Sequence, residues 1–140
     1  MKYFNIFLIV FSFAFGQIQY GGSPLFQSEK SINFITVDHD NLIEYDLHPM
    51  VVHYANEYEV DINVLQSATK VIDQYKTTFY LGIESPGAKS IAFHFDEFQL
   101  TNHSEMFIYD EEETMYIGSF NSKNNDFTGE KSTAVVKGDR

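Results

Sequence analysis

The chain has 140 residues, of which 20 are acidic and 9 basic, so its formal net charge at pH 7 is −11. This length suits one domain, and an apolar content of 44% is enough for a packed core and too high for a disordered chain. The acidic balance argues against nucleic acid and anionic membrane surfaces as partners, which Lys and Arg would bind, and the lack of cysteine excludes disulfides, thiolate metal sites and cysteine nucleophiles.

Residues 1–16 have the features of a cleaved secretory signal. Their apolar run Ile6–Phe15 is too short to span a bilayer core, which needs about 20 residues. Ala14 and Gly16 occupy the −3 and −1 positions that a signal peptidase requires. A buried N-terminal strand or helix is the alternative. Cleavage before Gln17 would leave 8 basic against 20 acidic residues, a net charge of −12, and we expect a secreted, extracellular protein without a membrane span.

Residues 17–30 are expected to form a loop-like tether with few side chains to bury, because Gly21-Gly22 and Pro24 disfavour regular structure. Residues 31–140 predict the folded domain. Its first strand is expected at Ser31–Val37, whereas residues 41–52 fit neither the helix nor the strand period.

The next segment predicts a strand at Tyr58–Val64, whose apolar residues alternate with polar ones that face water. Apolar residues between Ile62 and Tyr75 also recur at near-helical spacing, so a short helix is an alternative there. Thr77–Glu84 is β-branched and aromatic, which favours a strand. We therefore expect a strand around Val71–Tyr75 that forms a hairpin with Thr77–Glu84.

The second half has clearer strand and turn signals. Ser85–Ala88 predicts a turn, with proline at position i+1 and glycine at i+2. Further strands are expected at Ile91–Phe98, Met106–Tyr109, Met115–Phe120 and Thr133–Val136, with turns at Asp110–Thr114 and Asn121–Gly129. Strands spaced about ten residues apart indicate an all-β, antiparallel, jelly-roll-like β-sandwich. We expect its core to contain Phe93, Phe95, Ile108 and Ile117.

The final residues, Gly138-Asp139-Arg140, have a turn composition directly after a strand. Because such turns introduce another strand, we expect a truncated chain with an unpaired edge, which is an aggregation hazard.

The sequence contains no recognisable catalytic motif. Its five histidines belong to no HExxH pair, and no Gly-x-Ser-x-Gly elbow or phosphate-binding glycine loop occurs. The five histidines are His39, His48, His53, His94 and His103. On the polar face of a strand, His94 is read as a surface residue in preference to a catalytic one. His39, between Asp38 and Asp40, is read as a solvated loop residue in preference to a weak metal ligand.

The densest charge cluster consists of Asp110, Glu111, Glu112 and Glu113. Carboxylate oxygens suit calcium, which takes six to eight oxygen ligands, so these four residues are its candidate ligands. Consecutive acids in a tight turn cannot all point inward, and a solvated turn is the preferred interpretation. Asp96 and Glu97 carry the same ambiguity. Tyr80, Tyr109 and Tyr116 are candidates for stacking on a sugar, with a core role as the default.

A longer resemblance covers Ile83–Asp139. Its pieces occur in order along the chain: Ser85–Ile91, Phe93–Phe98, Met106–Asp110, Ile117–Phe120, Lys123–Asn125 and Val136–Asp139. This stretch resembles the N-terminal, non-catalytic region of secreted trypsin-like serine endopeptidases of the lysyl-endopeptidase type from Bacteroidetes-like bacteria. The start Gln17–Pro24 is similar to that of many such exported proteins. The His- and Tyr-rich segment Asp38–Tyr58 departs from the pattern, as does the lack of tryptophan between positions 70 and 80.

The resemblance implies a β-sandwich that precedes a chymotrypsin-fold protease domain. No Gly-Asp-Ser-Gly-Gly nucleophile motif occurs here, so this chain would have no catalytic residues, and its partner would be a linked or docked protease domain. The alternative is a free-standing secreted binding module for carbohydrate or protein. One form of this alternative is a module whose binding requires calcium. A small exported hydrolase is a third hypothesis.

Overall fold

The computed structural model describes Gly22, Pro24 and residues 31–40, 42–44 and 55–140. The predicted signal peptide, most of the tether and much of residues 41–52 lie outside this part. The described residues are mostly strand with very little helix, which confirms the all-β prediction. Within the described part of the chain, no helix is long and apolar enough to cross a membrane.

Nine short strands follow one another within the described residues. They are β1 (Asn33–Thr36), β2 (Thr69–Ile72), β3 (Thr77–Glu84), β4 (Ser90–Ile91), β5 (His94–Phe95), β6 (Met106–Tyr109), β7 (Tyr116–Phe120), β8 (Lys131–Ser132) and β9 (Val136–Lys137). A four-residue helix, α1, spans Val64–Ser67, and a 3-10 turn spans Ser122–Asn124.

Strand β3 is shared by two partners. Its first half pairs antiparallel with β2, from Thr69 opposite Tyr80 to Ile72 opposite Thr77. Its second half pairs parallel with β1, from Asn33 opposite Leu81 to Thr36 opposite Glu84. A fully antiparallel arrangement is therefore wrong for β1. The long connection from β1 to β3 makes the parallel pairing possible, because parallel neighbours need a crossover of a dozen or more residues.

The strand predicted at Tyr58–Val64 is wrong. Tyr58 forms only an isolated bridge to Leu42, and Val60 and Val64 are exposed. The Asn63 side chain caps α1 by accepting a hydrogen bond from the Gln66 N–H at 3.1 Å. This local cap favours a helical turn over continued alternation. The helical alternative for Ile62–Tyr75 is met only by the four residues of α1 and is wrong from Thr69 onward, where β2 forms.

The hairpin of β2 and β3 confirms the prediction for this region, although β2 ends earlier than expected. The Asp73 carboxylate accepts hydrogen bonds from the N–H groups of Tyr75 and Lys76, at 2.7 and 3.0 Å. The Asp73 N–H donates to the Lys76 carbonyl at 3.0 Å. Because these bonds form a closed turn, Asp73–Tyr75 cannot continue the strand.

The second half forms three antiparallel pairs, β4 with β9, β5 with β8 and β6 with β7. The single strand predicted at Ile91–Phe98 is wrong, because β4 and β5 are separate two-residue strands. The alternation of burial predicted there is confirmed: three apolar residues are half-buried and the two residues between them are exposed. The Ser85–Ala88 turn is also confirmed, since the Ala88 N–H donates to the Ser85 carbonyl at 3.0 Å and Gly87 has φ +79°. The half-buried residues are Ile91, Phe93 and Phe95.

The last predicted strand, Thr133–Val136, is displaced. The Thr133 side chain accepts a hydrogen bond from the Phe93 N–H and donates one to the Ala134 carbonyl, both at 2.9 Å. These bonds separate the β5–β8 pair from the β4–β9 pair. The chain after β9 is bonded to preceding residues, with the Gly138 N–H donating to the Lys89 carbonyl at 2.9 Å.

Among the residues that the structure describes, four buried apolar side chains form the core: Phe98, Ile117, Phe120 and Val136. Half-buried residues pack against them, among them the expected Phe95 and Ile108. The expected Phe93 is half-buried and stacks on Phe95 with ring centroids 6.1 Å apart. From the tether, Pro24 is buried, which departs from the expectation of little to bury.

Replacing Ser119 by alanine should stabilise the fold by about 1 kcal/mol. Ser119 is buried, and its hydroxyl has no hydrogen-bond partner among the residues that the structure describes. A buried hydroxyl without a partner has lost its hydration without compensation, at a cost of about 1–3 kcal/mol. Urea unfolding of Ser119→Ala and of the parent chain measures the change, with Ser90→Ala, at an exposed position of β4, as a control. A lower midpoint for Ser119→Ala would contradict the prediction.

Candidate functional site

Charged side chains from distant parts of the sequence meet at the C-terminal end of β3. The parallel pairing places Thr36 opposite Glu84, and the Thr36 hydroxyl donates to Glu84 Oε2 at 3.1 Å. On the other carboxylate oxygen, Arg140 Nε and Nη2 both lie 2.8 Å from Glu84 Oε1. We call the group of Thr36, Glu84, Glu111 and Arg140 the Glu84 cluster.

Arg140 connects this cluster to the turn between β6 and β7. Its Nη1 atom lies 3.1 Å from Glu111 Oε1, and its guanidinium lies 5.9 Å from the centre of the Phe34 ring. The hydrogen bonds that Arg140 donates to Glu84 and Glu111 raise the pKa of Arg140. Because Arg140 and Glu111 are exposed and Glu84 is half-buried, water and salt partly screen these pairs, and their contribution to stability is small.

His39 lies beside this cluster. Its Nε2 atom is 3.1 Å from the Ser85 hydroxyl oxygen, and its ring stacks on Tyr58 with centroids 4.7 Å apart. A nucleophilic serine needs a histidine base that a carboxylate orients through the second ring nitrogen. Among the described residues no acid forms an ion pair with His39, and Asp38 instead accepts a hydrogen bond from the Asp40 N–H.

A second histidine–serine pair lies on the exposed face of β5 and β8. His94 is directly opposite Ser132, with Nδ1 2.8 Å from the hydroxyl oxygen. Asp96 Oδ1 is 3.7 Å from His94 Nε2, but its side chain is 93% exposed. A fully hydrated carboxylate holds a histidine ring weakly, because water screens the charge. The geometry is therefore that of a polar cross-strand pair.

The acidic turn does not bring its carboxylates together. Asp110 is buried, and its oxygens accept hydrogen bonds from the N–H and hydroxyl of Thr114 and from the Met115 N–H. Glu111 pairs with Arg140. A solvated turn is thus wrong for Asp110, whose carboxylate closes the turn. In the described part of the chain, no group of three His, Asp or Glu residues could hold a metal ion.

The tyrosines proposed for sugar stacking are partly engaged within the fold. Tyr80 and Tyr109 are half-buried. Burial raises the pKa of Tyr109, and electrostatic interactions with Tyr80 and Glu113 raise it further. Tyr116 is more exposed, but it packs edge-on against Phe107. Its hydroxyl donates to the Gly22 carbonyl at 3.4 Å.

Of the remaining candidates, His103 lies in an exposed turn, Glu97 is exposed, and His48 and His53 fall outside the described residues. The roles of Glu84, Ser85, Ser132 and Arg140 were not anticipated from the sequence. Their contacts depend on strand pairing between distant segments, for which the chain carries no local signal.

Comparison with known proteins adds no relative to this picture, because no family model, curated protein or solved structure matches the chain.

Proposed function

We propose that the chain is the N-terminal, non-catalytic region of a secreted trypsin-like serine endopeptidase, with a lysyl-endopeptidase-like protease domain as its linked or docked partner. In this proposal the signal peptide is removed and the remaining chain forms an antiparallel, jelly-roll-like β-sandwich. The region would assist the protease domain by packing against it or by chaperoning its folding.

The distribution of the core carries this proposal. All four buried apolar residues, and the half-buried ones that pack on them, lie between Phe95 and Val136. This range falls within Ile83–Asp139, the stretch that resembles the protease N-terminal region. By contrast, the described residues before Ile83 contribute no member of the buried core. The resembling stretch thus forms a packing unit, as expected for a module with its own core.

The chemistry of the described residues supports a non-catalytic role. The two histidine–serine pairs lie on exposed surface, where a developing negative charge would be stabilised by water rather than by fixed donors. The buried carboxylate of Asp110 is occupied by hydrogen bonds within its own turn.

The reading frame beyond the Arg140 codon tests the proposal directly. We expect an open frame that encodes a trypsin-like domain with a Gly-Asp-Ser-Gly-Gly motif. The purified chain should release no nitroaniline from lysyl or arginyl substrates above a boiled control, and mass spectrometry of the exported protein should place its first residue at Gln17. A stop codon directly after Arg140 would overturn the proposal.

A second candidate function is a secreted binding module for carbohydrate or protein. The observation that favours it is a set of exposed apolar side chains on α1 and on the β2–β3 hairpin. They are Val64, Leu65, Ile72, Tyr75 and Phe79. Exposed apolar side chains grouped in this way mark interaction surfaces when they form a patch.

A further inference from the structure

The tip of the β2–β3 hairpin, residues 72–77, presents two apolar side chains to solvent. Tyr75 is 87% exposed and Ile72 is 70% exposed. Tyrosine combines a large flat apolar face with a polar hydroxyl, so it can contact a ligand that is itself partly apolar and partly polar. An almost fully exposed ring at a hairpin tip gains nothing for the fold and is available to a ligand.

The tip is held in one conformation by Asp73. The Asp73 carboxylate accepts hydrogen bonds from the N–H groups of Tyr75 and Lys76. These two hydrogen bonds lower the pKa of Asp73, and the bond from Tyr75 has the larger effect. The negative charge is therefore directed into the turn. A preformed turn also reduces the entropy that is lost when a ligand orders the site.

The segment that contains the tip has one more basic than acidic side chain, in contrast to the strongly acidic whole chain. Residues 62–83 contain two cations, Lys70 and Lys76, and Asp73 as their sole acid. Lys70 lies 5.7 Å above the Phe79 ring, while Lys76 is adjacent to Tyr75. In a chain with a net charge of −11, this segment is complementary to an anion, which the rest of the surface would repel.

We propose that the hairpin tip binds an acidic polysaccharide, with a uronic-acid ring stacked on Tyr75 and its carboxylate paired with Lys76. A rigid turn that presents one flat ring fits the flat apolar face of a pyranose, and an ammonium group with three donors suits a carboxylate. This inference rests on the second proposed function and names its ligand class. It does not depend on a protease domain.

Affinity electrophoresis of the whole chain through gels containing polygalacturonate, without calcium, tests the proposal, with dextran as the neutral polymer. We expect retardation by polygalacturonate alone, weakening as salt is raised because the ion pair is screened. Tyr75→Ala should weaken binding about fivefold, the order of one aromatic contact. Lys76→Ala should weaken it about threefold, as for an exposed ion pair, and should reduce the salt dependence.

Two matched variants separate this site from general surface effects. Phe127→Ala removes a ring that is 99% exposed on another turn, and Lys137→Ala removes an exposed cation in β9. Both should bind polygalacturonate as the parent chain does, and circular dichroism should show that all four variants are folded. Unchanged binding by Tyr75→Ala, or equal losses in the control variants, would overturn the site.

The ligand class has its own contradicting results. Equal retardation by polyglutamate would show that charge alone, or an acidic protein, is recognised, which overturns the sugar. Retardation by dextran through Tyr75, and not by polygalacturonate, would overturn the acidic ligand but keep the binding-module function. If no polymer retards the chain, this inference is overturned. A glycan or protein array then tests separately whether the chain is a binding module at all.

Discussion

Phe120→Ala should lower the free energy of unfolding by about 3–5 kcal/mol, which is the usual cost of removing a buried aromatic side chain. Phe120 has no exposed surface, and its ring meets Phe98 edge-on with centroids 6.3 Å apart. Both belong to a core of only four buried apolar residues in the described chain. Few neighbours are therefore available to collapse into the cavity that the truncation leaves.

Urea unfolding followed by far-UV circular dichroism measures this loss. Phe127→Ala is the matched control, because its ring is 99% exposed, and it should change stability by about 0.5 kcal/mol or less. If Phe120→Ala does not fold, Phe120→Leu keeps most of the volume and should cost about 1.5 kcal/mol or less. Equal losses for Phe120→Ala and Phe127→Ala would show that the core does not centre on Phe120.

Local patterns predicted the elements whose signals lie within a few residues. Thr77–Glu84 is a strand with the predicted bounds, and the strand pair around the acidic turn forms at β6 and β7. In both cases the alternation of side chains and the flanking turn residues indicate the same strand. At Tyr58–Val64 alternation alone was misleading, because it competes with the hydrogen bond by which Asn63 caps α1.

The candidate site was much less predictable. Thr36 and Arg140 contact Glu84 although they lie 48 and 56 positions away from it in the sequence. The Thr36 contact depends on the parallel pairing of β1 with β3, and Arg140 is brought to Glu84 by the chain end, where the Ser85 N–H donates to the Asp139 carbonyl at 2.8 Å. No propensity or turn signal encodes either pairing. The same holds for His94 and Ser132, 38 positions apart. A single sequence shows that these residue types exist, but only strand register shows which of them face each other.

Asp110→Ala should destabilise the chain by about 2–3 kcal/mol at neutral pH, which is the order expected for breaking charge-assisted hydrogen bonds and leaving donors without a partner. Desolvation raises the pKa of Asp110, but the hydrogen bonds from Thr114 and Met115 outweigh it, so the pKa lies below its ordinary value of 3.8. The fold thus favours the charged form. The carboxylate closes the β6–β7 turn by holding two backbone N–H groups that the ladder does not use.

The sign of the pH effect follows from this lowered pKa. A carboxyl group that is more acidic in the folded state stabilises the fold above about pH 3.8, and this contribution is lost as the pH falls through the folded-state value. Urea midpoints measured from pH 7 to pH 2.5 should therefore fall less steeply for Asp110→Ala than for the parent chain. The control Glu112→Ala changes an exposed acid in the same turn and should follow the parent. Parallel acid profiles for Asp110→Ala and the parent would contradict the prediction, because they would show that ionisation of Asp110 contributes nothing to the stability of the fold.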